Sequence, residues 1–401
     1  MLNRKEKVVL KKNYKKTILN IISFPLYVIT FLVPKKKNMI VFGSSKGYHF
    51  SDNSKYMYLY MKELERKNSR DLEFYWLTKS KILSNEYIDD ERFIYMYSFK
   101  GIYTLLRAKI AVLTHSLEDL CPVLMGGKKI VQLWHGTPLK KIGHDADSWS
   151  EGSKVKIRLK KILNYLLPYL NYMKCDYLVV SSNKVVSTFV SAFKIPEEKI
   201  IVLGQPRNDT FDSLCTQSNE LLRKVQGYKK VIAWLPTHRG YSKYTIVDLM
   251  KNYKFDEKKI NQFLTENNYL LVIKPHFVEK GKLGEYLKGS SNILIYDEAD
   301  PYPLLTKVDI LITDYSSIFF DYMLTNNQII FTPFDYQSYK EYTGLYYEYS
   351  EIASGPICYD WEQVFSSLGK EKNNNYEIIK RFFNEYDFGN CERVYNFLKK
   401  L

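Results

Sequence analysis

From Asn38 onward, short apolar runs alternate with segments whose apolar positions recur at helical spacing. The runs Met39–Phe42, Phe74–Leu77, Ile110–Leu113, Lys129–Leu133 and Tyr177–Val180 read as strands. Ser54–Lys67, opened by Asn53-Ser54 capping chemistry, and Lys184–Phe193 read as helices between them. A polar interval from about Asp212 to Lys230 precedes a second series: Val231–Leu235, Leu270–Ile273, Ile293–Tyr296, Ile310–Thr313 and Gln328–Phe331. Strands separated by helices predict parallel sheets with crossover helices. The expected architecture is α/β, with two doubly wound, Rossmann-like domains facing a central cleft. The expected boundaries are residues 1–37 as a leading segment, 38–215 and 216–372 as the two domains, and 373–401 as a closing helix. Ligands of open α/β sheets sit beyond the carboxyl ends of the strands, so polar residues at those ends matter most.

Three strands of the second series end alike. "VIAWL" is followed by Pro236-Thr237-His238-Arg239-Gly240, "LLVI" by Lys274-Pro275-His276, and "VDILIT" by Asp314-Tyr315-Ser316-Ser317. Thr237, Arg239, Lys274, His276, Ser316 and Ser317 would then share one edge of a parallel sheet. Ser316 or Ser317 opens a helix through Ile318, Phe319, Phe320 and Met323, whose free N–H groups and positive dipole end suit an anion. With three cationic side chains nearby, a diphosphate is the anion expected; the plainer reading is that the serines only cap the helix. In the first series "IVQLWHG" sets His135 where an apolar run meets a glycine. His135 is either a packed strand-end residue or one held out for chemistry. His135 and His276 each end a strand in opposite domains, and an imidazole can take a proton from a hydroxyl near neutral pH. His49, His115 and His144 read as structural, and His238, beside Arg239, fits either role. No HxH or HxxxH spacing and no carboxylate cluster points to a metal-ligating site, and the sequence names no cofactor while leaving dependence on a divalent metal open. There is no GxxxxGK[ST], no strand-borne GxGxxG and no GxSxG; "GSSKG" at Gly43–Gly47 has the wrong spacing.

Charge first suggests nucleic acid, since the 401 residues carry a net +15. Its distribution redirects that reading. Residues 1–37 hold ten Lys or Arg against the single acid Glu6, a net +9, leaving +6 for the other 364 residues. The basic clusters flank "ILNIISFPLYVITFLV", Ile18 to Val33, which at 16 residues is shorter than the roughly 20 a spanning helix needs. We read it as an interfacial segment, apolar residues entering the headgroup region while lysines attract anionic lipid. The competing readings are a spanning helix, a helix packed on the protein's own body, and a signal peptide, which lacks a small-residue cleavage site here. "KVKIRLKKILNYLL", Lys154 to Leu167, reads as a surface helix covering a core, with a basic membrane-facing helix left open. Five scattered cysteines without a CxxC pair suggest a reducing compartment. A basic RNA-binding module is the alternative of another class, disfavoured because the charge gathers around an apolar segment.

"WHGTPLKKIG" (134–143) together with "TDYSSIFFDY" (313–322) resembles the CDP-glycerol glycerophosphotransferase family of teichoic acid and capsule synthesis. "FGSSKGYHFSDNSKYMYLY" (42–60), "LPTHRG", "KPH" and "DFGNCERV" (387–394) follow in the family's order, so the likeness runs from about residue 40 to 395. The chain departs from the family at His238, where Phe is common before the arginine, and at Thr343, where an arginine is frequent. The resemblance implies a GT-B-like fold with the donor on the C-terminal domain, the acceptor on the N-terminal one, and a final helix packing back. It implies transfer of glycerol phosphate from CDP-glycerol to a hydroxyl of a membrane-linked acceptor, releasing CMP. CDP-ribitol is the nearest alternative donor, and a sugar-nucleotide glycosyltransferase lies further off. In that scheme His135, with Gly136 and Thr137 beside it, is the base. His276, Lys274, Arg239, Thr237, Ser316, Ser317 and Arg393 neutralise the diphosphate, and Asp314 holds the turn. The expected location is peripheral, on the cytoplasmic face of the membrane, against anionic lipid and without nucleic acid.

Overall fold

The structure is a computed structural model that describes residues 22–67, 71–146, 162–212, 220–225, 227–239, 245–275, 279–370 and 375–401. His276, residues 1–21 and most of the Lys154–Leu167 segment lie outside them.

Two all-parallel sheets dominate. The first has seven strands, β1 (Lys36–Phe42), β2 (Glu73–Thr78), β3 (Phe93–Tyr95), β4 (Ala108–Leu113), β5 (Lys129–Gln132), β6 (Tyr177–Val180) and β7 (Ile200–Val202), in the order β3-β2-β1-β4-β5-β6-β7. The second has five, β8 (Lys230–Leu235), β9 (Tyr269–Ile273), β10 (Ile293–Ile295), β11 (Ile310–Thr313) and β12 (Gln328–Phe331), in the order β10-β9-β8-β11-β12. Helices cover both faces, which is why Met39 to Phe42 and Ile310 to Thr313 are buried without alternation. The strand order reverses between β1 and β4 in one sheet and between β8 and β11 in the other. There Phe42 pairs with Val112 and Leu235 with Thr313, so the next residues of each strand open a crevice.

The sequence pattern does not mark β3 and β7, outer strands of three residues each, although β10, equally short and outer, matches the expected Ile293–Tyr296. The expected closing helix is two helices, Tyr376–Phe382 and Asn390–Lys399, parted where Phe388 takes a positive φ of 56°. Cys391, Val394, Tyr395 and Leu398 of the second pack into the first sheet's core with Met57 and Tyr58. Asp209 anchors its first turn, accepting from the N–H groups of Asn390 (3.0 Å) and Cys391 (2.7 Å).

The Phe24–Leu32 helix covers about 13 Å at 1.5 Å per residue, and no described helix is long and apolar enough to cross a membrane. Tyr27 packs on Tyr169 at 4.9 Å between ring centroids, so one face rests on the body. Phe24, Leu26, Val28, Ile29, Phe31 and Leu32 remain exposed.

Candidate active site

β5 ends in a strained turn. The Trp134 backbone amide donates to Gln132 Oε1 (3.0 Å), and Trp134 adopts a left-handed φ of 53°. That conformation costs a large side chain about 1–2 kcal/mol, so the packing around it must hold it in place. Phe193 does so, 4.9 Å from the Trp134 ring and nearly perpendicular to it. His135 therefore leaves the strand sideways, its ring 3.9 Å from the Trp134 ring and stacked on His115 at 4.6 Å. Its Nδ1 lies 3.5 Å from the Thr114 carbonyl. A carbonyl can only accept, so Nδ1 carries the hydrogen and Nε2 keeps a lone pair. Burial, then the neighbouring His115 and Arg207, hold the His135 pKa well below the ordinary histidine value. The ring is neutral at physiological pH.

Beneath this turn lies a residue that the sequence pattern did not single out. Gly136 has φ 114°, and a Cβ there would run into Arg207 Nη2. Arg207 donates to Asp52 Oδ1 (2.7 Å) and to Asp321 Oδ2 (2.5 Å), and lies over the Tyr302 ring at 4.9 Å. Burial works against its charge, but Asp321 and Asp52 outweigh it and raise the pKa further. Asn53 Oδ1 accepts from the Arg207 amide (3.0 Å) while its Nδ2 donates to the Trp134 carbonyl (2.8 Å). The His135 turn and the helix after β11 thus share one buried ion-pair network. Lys55 and Asp300 make a second link between the sheets' domains at 2.6 Å. Asp321 stands in the "TDYSSIFFDY" block and Arg207 in "GQPRND" after β7, which were the available signals.

On the second sheet, Asp314 accepts from the amides of Thr237 (2.9 Å) and Tyr315 (2.6 Å) and from Arg239 Nη1. Arg239 also grips Asp335 through Nε (3.0 Å) and Nη2 (2.8 Å), and its side chain is 1% exposed. Here the expectation needs correcting. With both edges of its guanidinium committed to carboxylates, Arg239 fixes the turn instead of waiting for a phosphate. Arg393 is likewise engaged, with the Leu203 carbonyl, Asp387 and Asn390, and lines neither cavity described below. Nor does either serine cap the helix firmly. The Ile318 amide lies 3.5 Å from Ser316 Oγ, Ser317 makes no side-chain cap bond, and the helix is only Ile318–Tyr322.

A cavity of about 190 Å³ brings His135, Gly136 and Thr137 together with Thr237, Ser316 and Ser317. Thr237 Oγ1 is buried there without a hydrogen-bond partner among the described residues. Ser316 also lines a wider cleft of about 1250 Å³ that holds His49, Lys55, His238 and Lys274. Lys274 Nζ donates to the Glu298 carbonyl (2.5 Å), and burial pulls its pKa down against the pull of Asp300, Asp297 and Glu298. His238 Nδ1 lies 3.5 Å from Glu279. Among the described residues no three His, Cys, Asp or Glu side chains gather as metal ligands.

The profile of the CDP-Glycerol:Poly(glycerophosphate) glycerophosphotransferase family matches residues 25–400. The chain belongs to this family. Glycerophosphate transfer dependent on CDP-glycerol is its activity, in agreement with the sequence reading. Among its relatives, the teichoic acid poly(glycerol phosphate) polymerase of Bacillus spizizenii is 29% identical over 95% of both chains. The teichoic acid glycerol-phosphate transferase of Staphylococcus aureus is 28% identical over 91% of this chain and 92% of its own. The solved structure of the wall teichoic acid polymerase TagF superposes with a TM-score of 0.70, at 22% identity, over 100% of this chain and 98% of that one. Among the family blocks, Thr343, one of the two departures, closes the Tyr336–Thr343 helix by donating to the Tyr339 carbonyl (2.9 Å).

Proposed function

We propose that this chain moves glycerol phosphate from CDP-glycerol to a hydroxyl of a membrane-linked acceptor, either an undecaprenyl-diphosphate saccharide or a growing polyol-phosphate chain. The observation that carries the reading is the small cavity. It joins a neutral imidazole from one sheet to hydroxyls at the reversal point of the other. His135 Nε2 takes the proton of the acceptor hydroxyl, whose oxygen attacks the phosphorus bonded to glycerol. The bond to the bridging oxygen breaks, and CMP leaves with the electron pair. A base in that position is worth about 10²–10⁴-fold, and the rest of the work is positioning and charge stabilisation.

Thr237, Ser316 and Ser317 face the phosphates, and Lys274 meets the donor from the wider cleft, which has room for a nucleotide. Arg239 and Asp314 hold the turn that presents them. Arg393 acts only by tying down the closing helix, and His276, outside the described residues, is assigned to the diphosphate on the resemblance alone. The two sheets form a GT-B-like pair. The exposed apolar side of Phe24–Leu32, beside the basic leading segment, seats the protein peripherally on the cytoplasmic face of the membrane.

Incubation with CDP-glycerol and a lipid-linked disaccharide tests the reaction class. Stoichiometric CMP is expected. Release of a nucleoside diphosphate would mean sugar-type transfer, and a preference for CDP-ribitol would move the assignment to ribitol phosphate.

A further inference from the structure

The small cavity holds a cation that the reading above leaves unused. Lys140, in "WHGTPLKKIG", lines it together with His135, Thr237, Tyr315, Ser316 and Ser317. Its ammonium has no hydrogen bond or ion pair among the described residues. Asp314 is close enough to be felt but is already held by Arg239 and the amides of Thr237 and Tyr315. Lys140 is half-buried, and an anion entering the cavity would give its ammonium the charged partner it lacks among the described residues.

The backbone around Lys140 is fixed for the purpose. Lys140 forms an antiparallel bridge with Leu345. The Lys141 amide donates to the Gly344 carbonyl (3.2 Å), and the Tyr346 amide to the Leu139 carbonyl (2.9 Å). The Ile142 amide donates to the Tyr346 hydroxyl (3.2 Å). A loop that leaves the first sheet is therefore clasped to the second domain beside the Asp314 turn. The other cations described nearby are committed elsewhere. Arg239 lies between Asp314 and Asp335, Arg207 between Asp52 and Asp321, and Lys274 against the Glu298 carbonyl in the wider cleft.

We propose that Lys140 is a catalytic residue, the cation that contacts the transferred phosphate and offsets the charge that builds on it as the bond to CMP breaks. This rests on the phosphoryl-transfer reading of the cavity. Phosphoryl transfer depends on such preorganised charge, and loss of one stabilising group of this kind costs about 10²–10³ in turnover.

The test measures CMP release from CDP-glycerol in the presence of a lipid-linked acceptor by the full chain, with Lys140→Met, Lys140→Ala and added ethylamine. Lys140→Met should lose about 100-fold or more in kcat with an unchanged or higher melting temperature. Ethylamine, a small ammonium that fits the vacated space, should restore part of the Lys140→Ala rate and leave Lys140→Met unaffected. Release by Lys140→Met within about threefold of wild type would overturn the proposal. So would a lost rate accompanied by a fall in melting temperature and no rescue by amine, which would make Lys140 structural. A wild-type chain that releases no CMP would instead remove the reaction reading, and this inference with it.

Discussion

His135 and Arg239 show how much the surroundings of a side chain decide its work. At His135, burial first, then His115 and Arg207, favour the neutral ring. Its folded pKa lies below the unfolded value of about 6.5, so the unfolded chain binds the proton more readily. Its contribution to stability is present above about pH 6.5 and is lost as pH falls toward the folded pKa. The acid limb of kcat/KM should accordingly lie below about 6.5, and His135→Gln should flatten the pH dependence of melting beneath that value. An acid limb at or above it would contradict the neutral-base assignment. Arg239 is the opposite case. Arg239→Met should cost about 3–5 kcal/mol by leaving Asp314 and Asp335 buried beside a lost partner, seen as a fall in melting temperature. A variant with unchanged melting but weakened donor binding would return Arg239 to the phosphate. The sequence displays Arg239 at a strand end, yet its carboxylate partners stand 75 and 96 residues away. A local pattern shows that a cation is present; only the fold shows that it is taken.

The elements that carry the site were largely legible because parallel sheets covered on both faces leave dense apolar runs. β8, β9 and β11 announced themselves this way, and so did the polar residues that follow each of them. β3 and β7 did not, and with β7 went the "GQPRND" loop that supplies Arg207. That loop is what registers the His135 turn against the helix after β11, through Arg207 and Asp321. Asp321→Asn should destabilise by about 3–5 kcal/mol and lower kcat more than it raises the KM for the donor, since it loosens alignment and leaves the cavity's hydroxyls in place. Equal loss in a variant with unaltered melting and intact alignment, judged from unchanged His135 titration, would show that the pair does not register the turn. Gly136 belongs to the same device, its positive φ and missing Cβ leaving room for the guanidinium.

At the scale of the whole molecule, two reversal points face each other, and the chain crosses between the domains more than once. The closing helix returns to the first sheet, and the Lys140 loop is clasped by the Gly344–Tyr346 segment of the second domain. Such ties depend on contacts between residues distant in sequence, which periodicity does not reveal. The Phe24–Leu32 helix adds an apolar surface, and in sequence it lies between clusters of lysines. Ile29→Asp with Phe31→Asp should abolish sedimentation with phosphatidylglycerol vesicles while leaving turnover on a soluble acceptor intact. Undiminished sedimentation would place the membrane contact elsewhere.

The claim on which everything else rests is that His135 accepts the proton of the incoming hydroxyl. Its most direct measurement sets donor binding beside turnover in His135→Ala, with CDP-glycerol affinity from calorimetry and CMP release in the presence of acceptor. Donor affinity should stay close to wild type while the rate falls by about 10²–10⁴-fold. A near-normal rate in that variant would contradict the claim.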